Sequence, residues 1–380
     1  MFFFSDDRCK FDAGNIQLQT ECPFYEPGNT ITGKVYLQIH APVAATHIEL
    51  EFKGGEKCSF IRHYTETEQH GDETRIVHKT EKCKSSKTFL HEKNKVFPIA
   101  DGMLQPGLYQ IDFNLDLPHT IPSSLNFKDK DSREKPKAKV KYYIKAKLEN
   151  GGHDIMKHKQ VLIIREKPVE WRVGEAQSET SNIKTWCCCD QGTSTMWSVF
   201  EKNQFMPTEH ARGKVHVNNE NCQIAANRVS FYVEQRLTVC CGRHMHTHTH
   251  RLINRTIEGP AAQQGDWSAD MELDLSKIKY EVPKEKKKKG LMKPLSREDA
   301  FMMAGVQAAC HGKRVTNEYF LCVLVEYDGC VCCVDLPDSR TPLTIIPLVN
   351  PACFGFMPPE GGWNPYPLGN FTVNLSHYDD

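Results

Sequence analysis

The sequence predicts an all-β protein made of two tandem immunoglobulin-like β-sandwiches, and three observations carry that prediction. Apolar residues recur at every second position in many short runs. Proline and glycine punctuate those runs. The runs fall into two groups, with a polar, irregular connector between them and an irregular C-terminal tail beyond.

Alternation with period two is the pattern of a strand with one buried face, because successive side chains point to opposite sides of a sheet. In the first group Val35, Leu37 and Ile39 alternate with Tyr36 and Gln38, and Ile48, Leu50 and Phe52 alternate with Glu49 and Glu51. Tyr109, Ile111, Phe113, Leu115 and Leu117 interleave with Gln110, Asp112, Asn114 and Asp116. Val140, Tyr142, Ile144, Ala146 and Leu148 follow, with Lys139, Lys141, Lys145 and Lys147 expected to face water. In the second group the runs are Ala211–Val217, Val229–Val239 and Met271–Leu275, and Tyr319–Val325 is apolar on both faces, as suits a central strand. Pro27-Gly28, Pro106-Gly107, Pro118, Pro122 and Pro207 supply turns between them. Many short strands with turn punctuation argue for sandwiches over alternating β and α units.

This spacing divides the chain into a first sandwich over residues 1–170, a second over 171–350 and a Pro/Gly/aromatic tail over 351–380. The connector contains Pro168 and Gly174. A Lys-rich and helical insertion is expected at about 284–311: Ser296 and Asp299 approximate a capping box ahead of Ala300–Cys310.

Composition bounds the function. Hydrophobic residues make up 39% of the 380, and no apolar run reaches the 18 or so residues of a spanning helix. Lys+Arg and Asp+Glu are both 48, so no global attraction to nucleic acid or anionic membrane is expected, and such binding would need a local patch. Met1–Asp7 lacks the basic start of a signal peptide, so the 16 cysteines are expected as reduced thiols. No P-loop, G-x-G-x-x-G, G-x-S-x-G or H-E-x-x-H occurs, and no catalytic residue is assigned.

Several turn-plus-strand motifs stand in a specific order. Pro106-Gly107-Leu108-Tyr109-Gln110-Ile111-Asp112-Phe113 runs on through Leu117-Pro118 to Ile121-Pro122-Ser123-Ser124. Val140-Lys141-Tyr142-Tyr143-Ile144-Lys145-Ala146 follows, and Tyr25-Glu26-Pro27-Gly28 with Ile31, Gly33 and Val35 precedes. These resemble the amino-terminal signature of the arrestin family. Lys184-Thr185-Trp186-Cys187-Cys188-Cys189, Phe205-Met206-Pro207-Thr208-Glu209, Tyr319–Val325 and Leu343–Leu348 are similar to the carboxyl domain of its α-arrestin branch, with Thr208 where that branch has glycine. The resemblance runs from about Asn15 to Val349. It implies two arrestin-type sandwiches and a cytoplasmic, non-enzymatic adaptor or scaffold, peripheral on plasma membrane or endosomes. Its implied partners are receptor or transporter cargo for endocytosis, sorting or protein transport, with ubiquitin ligase or coat components beside them and no nucleic acid. The alternatives are a structural arrestin-fold subunit of a stable retromer-like or cytoskeletal assembly, and a zinc-binding interaction domain.

Four groups of residues are candidate sites. Cys187, Cys189, Cys240, Cys241, Cys332, His244 and His246 offer thiolates and imidazoles of the kind that hold zinc. Adjacent cysteines on a strand point to opposite faces, however, and no finger spacing occurs. The plain expectation is therefore buried small residues, a solvated His loop and no cofactor. Lys286, Lys287, Lys288, Lys289 and Lys293, followed by Phe301 and Met302, form a candidate contact with anionic, phosphoinositide-bearing membrane. Each charge would contribute about 1 kcal/mol there, and the apolar helix would insert shallowly; a solvated loop and a helix packed on its own domain are the plain alternative. Arg165 stands where visual and β-arrestins carry the arginine of a buried polar core, although a strand-end arginine at the surface is the simpler expectation. Trp363, Pro365 and Tyr366 are the tail-motif candidate, in a tail that lacks the P-P-x-Y through which α-arrestins recruit ubiquitin ligases. The charged, His-rich stretch between Gly54 and Phe89 is expected as a loop, which the resemblance makes a receptor-probing one.

Overall fold

Alternating runs become strands because each can bury one face against a second sheet. The first half of the chain folds into β1 (Lys10–Phe11), β2 (Gly14–Thr20), β3 (Thr30–Ile39), β4 (Val43–Ala44), β5 (His47–His70), β6 (Glu73–Pro98), β7 (Met103–Leu104), β8 (Gly107–Asp116), β9 (Leu125–Lys128), β10 (Lys137–Asn150) and β11 (His153–Leu162). The second half continues with β12 (Ala176–Thr185), β13 (Cys189–Phe200), β14 (Gln204–Phe205), β15 (His210–Asn218), β16 (Ala226–Cys241), β17 (His244–Ile257) and β18 (Trp267–Asp274). It ends with β19 (Lys287–Lys288), β20 (Leu291–Met292), β21 (Cys310–His311), β22 (Val315–Tyr327), β23 (Asp338–Ile345) and β24 (Tyr366–Asn374). The computed structural model describes residues 10–22, 24–70, 73–172, 174, 176–186, 188–278, 287–288, 291–292, 307–331, 335–346 and 364–374.

The first sandwich packs a β1-β2-β3-β8 sheet on a β11-β10-β5-β6 sheet, with β9 beside β10. Ile16, Leu18, Ile31, Phe52, Ile111, Phe113 and Tyr142 fill its centre, each at most 1% exposed. Burying a side chain of this size contributes about 1.5–3 kcal/mol. Gly28 has φ +82, the left-handed conformation the Pro27-Gly28 turn demands. Gly33 lies under the Phe113 ring, where an added Cβ would collide with it. Two glycines of the early motif are thus explained by local sterics.

The second sandwich packs β12-β13-β15-β18 on β14-β23-β22-β16-β17, around Met196, Val215, Phe231, Val233, Leu273, Leu321 and Val323. Strand β22, the run apolar on both faces, is central between β23 and β16. The two cores meet because β16 is 16 residues long. Its first half belongs to the second core. Leu237, Val239 and Cys241 in its second half join the first core, together with Cys310 and Val315.

Four expectations need correction. The stretch between Gly54 and Phe89 is no loop: β5 and β6 form one hairpin ladder paired from His47↔Pro98 out to His70↔Glu73. Inward-facing Cys58, Phe60 and Cys83 are buried, and the β-compatible residues beyond them keep the ladder going. Of the expected helix at Ala300–Cys310, residues 300–306 lie outside the described residues. Gln307–Ala309 is irregular and Cys310–His311 is strand, paired with Thr316 and Asn317. The Gln307, Cys310 and His311 side chains instead make contacts to the first sandwich. In the tail, expected as irregular, Tyr366–Asn374 forms β24, parallel to β8, and buries Val373 against the first core. Lys147 does not face water. It is 6% exposed, and its ammonium reaches Glu49 at 2.9 Å and Glu149 at 3.2 Å.

The Tyr142 hydroxyl, fully buried, donates to the Pro122 carbonyl at 2.6 Å and ties β10 to the Ile121–Ser124 turn. A Tyr142→Phe substitution leaves that carbonyl without this donor and is expected to cost about 1–3 kcal/mol. A urea titration checks it: the midpoint falls and the slope is unchanged.

Candidate interaction surface at the domain seam

Among the described residues, one group of chemistry-bearing side chains lies where the two sandwiches meet. The β16–β17 hairpin turns at Gly242 and Arg243, with Gly242 at φ +65. In β17, His244, His246, His248 and His250 alternate with Met245, Thr247 and Thr249, so the four imidazoles share one face of the strand. That face meets the first sandwich. His246 stacks on Phe60 at 5.3 Å between centroids, and His248 lies 5.7 Å from Phe127 with Nε2 3.4 Å from Asp129 Oδ2. His244, His246 and His248, expected as part of a solvated loop, are thus half-buried strand residues, while His250 is exposed and Met245 beside them is 68% exposed. Burial holds the His248 pKa down, helped by His250 and His246 and opposed by Asp129.

A second latch forms around Glu166. Its Oε1 accepts from the Ser123 amide at 3.1 Å and from the His311 amide at 2.7 Å, and its Oε2 lies 2.6 Å from His311 Nδ1. The hydrogen bond to Glu166 raises the His311 pKa against the effect of burial. The Gln307 side-chain amide binds both backbone groups of Asn126, as a neighbouring strand would. The Arg314 amide donates to Glu56 Oε2 at 3.1 Å, and its guanidinium reaches Ser85. Glu56 is fully buried, and burial raises its pKa. The Cys310 thiol donates to the Ser123 carbonyl at 3.3 Å. No motif marked Glu166, His311, Glu56 or Arg314. The histidines at alternate positions 244–250 were the sequence signal in this region, and they were expected as a solvated loop.

Arg165 is not a surface residue, contrary to the simpler expectation. Its side chain is 15% exposed, its Nη2 pairs with Glu26 Oε1 at 3.2 Å, and the guanidinium lies 4.0 Å above the Phe24 ring. The chain direction explains this: Ile164 bridges Tyr25, and the Arg165 amide donates to the Tyr25 carbonyl, which draws the residue inside. Glu26 is the one carboxylate found paired with Arg165 among the described residues.

Among the described residues, the members of the expected metal set do not form one cluster. Cys187 and Cys332 lie outside the described residues. Cys240 and Cys241 point to opposite faces, the first half-buried and the second buried, and Cys189 is exposed at the far end of β13. Cys241 Sγ lies 3.3 Å from Cys58 Sγ, whose thiol also donates to the Cys240 carbonyl. Burial pushes the Cys58 pKa up to about 12, which keeps it a protonated thiol. No disulfide joins the described cysteines.

The outer face of the first sandwich carries a basic groove. Register places Lys84, Ser59, Lys137 and Lys128 in one row across β6, β5, β10 and β9, and Ser86, Lys57, Lys139 and Asn126 in the next. Paired residues point to the same side of a sheet, so the five ammonium groups share one face. They line a groove of about 500 Å³. Further along this face the lysines are matched instead: Lys145 and Lys147 sit among Glu49, Glu51, Glu149 and Asp154.

Of the membrane candidate, Lys286, Lys289, Lys293, Phe301 and Met302 lie outside the described residues. Lys287 and Lys288 form the short β19, paired with β20. Of the tail motif, Trp363 lies outside them, Pro365 is irregular, and Tyr366 is 73% exposed with its ring 6.4 Å from that of Tyr109. Among the described residues no helix is long and apolar enough to cross a membrane.

Two sandwiches of this topology, packed together through the far half of β16, define an arrestin-type molecule. The family model for the arrestin (or S-antigen) N-terminal domain matches residues 14–167, and that for the C-terminal domain matches 191–348. The chain belongs to the arrestin family. It is similar to arrestin domain-containing protein A of Dictyostelium discoideum, at 28% identity over 204 residues, which is 54% of this chain and 34% of that protein. It is also similar to arrestin domain-containing protein 5 of Homo sapiens (24% over 200 residues, 52% of this chain and 54% of that protein) and of Bos taurus (25% over 205 residues, 52% and 56%). The matches thus span from a third to a little over half of these relatives' length.

The two seam histidines respond to pH with opposite signs. The depressed His248 pKa gives a contribution that is whole above the ordinary value near 6.5 and is lost as pH falls through the folded-state pKa. The raised His311 pKa gives one that is whole below about 6.5 and is lost as pH rises through the folded-state pKa. Melting curves at a series of pH values check both: His248→Asn is expected to flatten the acid limb, and Glu166→Gln the alkaline limb.

Proposed function

We propose that this protein is a non-enzymatic adaptor that binds acidic cytoplasmic segments of membrane-protein cargo and links them to trafficking partners. The observation that carries this is the groove lined by Lys57, Lys84, Lys128, Lys137 and Lys139. The chain's overall formal charge is zero, and the lining of this groove holds five lysines and no carboxylate. Clustered surface charge steers an oppositely charged partner and sets orientation more than it adds affinity. The β5–β6 hairpin extends the platform: Thr65–Gln69 and Thr74–Arg75 on its two strands are exposed, and Ile76 is 71% exposed beside them. Membership of the arrestin family supports adaptor work at the level of the family. The relatives are named for their arrestin domains alone.

The test is proximity labelling in cells with the wild type and with Lys57→Glu/Lys84→Glu/Lys137→Glu, three exposed positions that leave the core intact. Membrane proteins with acidic cytoplasmic segments are expected among the wild-type neighbours and are expected to be depleted by the triple variant. In vitro, binding of such a segment is expected to weaken with added salt, because exposed charges are screened within about 8–10 Å. Neighbours unchanged by the triple variant, or a fixed soluble assembly without membrane proteins, contradict the proposal.

A further inference from the structure

A second feature of the seam stands apart from the adaptor reading. Glu81 and Cys83 are two residues apart on β6 and so share a face of the ribbon. Opposite them, His244 is the first residue of β17, projected by the tight Gly242–Arg243 turn. One ligand atom from each of the three lies within 4.8 Å of the other two. Two come from the first sandwich and one from the second.

We propose that Glu81, Cys83 and His244 form a site for a zinc-class divalent cation that fastens the two sandwiches together. A thiolate, an imidazole and a carboxylate are the donor types that suit this borderline-soft ion better than calcium or magnesium, which favour oxygen ligands alone. Bond lengths of about 2.0–2.3 Å put ligands of a tetrahedral ion some 3–4 Å apart, so closure requires movements on the order of 1 Å. The surroundings favour that closure. The Cys58–Cys241 contact at 3.3 Å already packs the two hairpins against each other a few residues away. Cys83 is 6% exposed, which shields a metal–sulfur bond from water. His246, one step along the His stripe, stacks on Phe60, the cross-strand partner of Cys83, and its Nε2 is buried with no hydrogen-bond partner among the described residues.

Two cations must give way. Arg62 lies 3.7 Å from Glu81, and Arg243 Nε lies 3.3 Å from His244 Nε2. Both are long and reach solvent, so an entering dication displaces them by rotamer change. Binding converts the Cys83 thiol to a thiolate and releases its proton to solvent, while Glu81 enters as carboxylate and His244 as neutral imidazole.

The other trio of potential ligands, His47, Glu49 and Glu149, carries no such proposal. The Lys147 ammonium already bonds both of its carboxylates.

Cobalt(II) titrated into the purified full chain is the test, because a cobalt–thiolate bond gives a sulfur-to-metal charge-transfer band in the near ultraviolet. One equivalent is expected to bind, zinc is expected to displace it, and the melting temperature is expected to rise with metal. The band is expected to vanish in Cys83→Ser and to persist in Cys240→Ser. Glu81→Gln alters an exposed position and leaves folding intact. It is expected to weaken zinc binding on the order of tenfold or more, since even outer-shell partners typically cost that much. No stoichiometric binding by the wild type, a band that survives Cys83→Ser, or unchanged affinity in Glu81→Gln overturns the proposal.

Discussion

The structure depends on one packing event: the far half of β16, still paired with β17 and β22, runs past its own core and buries Leu237, Val239 and Cys241 in the core of the other sandwich. Tandem sandwiches joined only by a connector would move as separate bodies, since interfaces within a chain resemble transient ones unless they are large and apolar. Here the apolar contact is continuous with a core. It brings β17 and its imidazoles against Phe60 and Phe127, and it sets Glu56 against the Arg314 backbone. The polar latches come after this. A buried carboxylate such as Glu56 is tolerated only where donors meet it, so those contacts specify how the sandwiches dock more than they add to stability.

The charge pattern of the first sandwich follows the same logic. On one sheet face, Lys147 sits among carboxylates and is nearly buried. Burial alone would lower its pKa, but Glu49 and Glu149 raise it. A few strand positions away, on the same face, lysines cluster in a groove. The first arrangement holds strands in register. The second concentrates field at the surface, where it acts on partners. One residue type serves both, and the difference lies in what stands opposite it across the ladder.

Much of the fold was legible from spacing. The alternation at Tyr109–Leu117 and Val140–Leu148 marks real strands, and the doubly apolar run Tyr319–Val325 is the central one, fully buried on its core face and half-buried at Phe320 and Leu324 on the other. Three elements were not legible, each for a physical reason. Beyond Phe60 the β5–β6 ribbon is mostly polar, and its Ile61, Tyr64, Ile76 and Val77 do not recur at every second position, so its ladder has no hydrophobic period to betray it. Strand β24 is stabilised by pairing with β8, some 250 positions away in sequence, which local composition does not encode. Residues Gln307–His311 look helical by propensity, yet tertiary contacts to Ser123, Asn126 and Glu166 override that preference. The candidate site was less legible than the fold. Adjacent cysteines attracted attention, while Cys83, isolated in a polar ribbon, meets His244 only through docking of the two halves.

The central claim is that the two sandwiches form a single cooperative body through β16. Urea unfolding followed by hydrogen-exchange mass spectrometry tests it, with peptides from β10 and from β22 reporting the two cores separately. The account predicts coincident midpoints for the two sets of peptides in the wild type. Two well-separated midpoints, with one sandwich fully protected while the other is open, would contradict it.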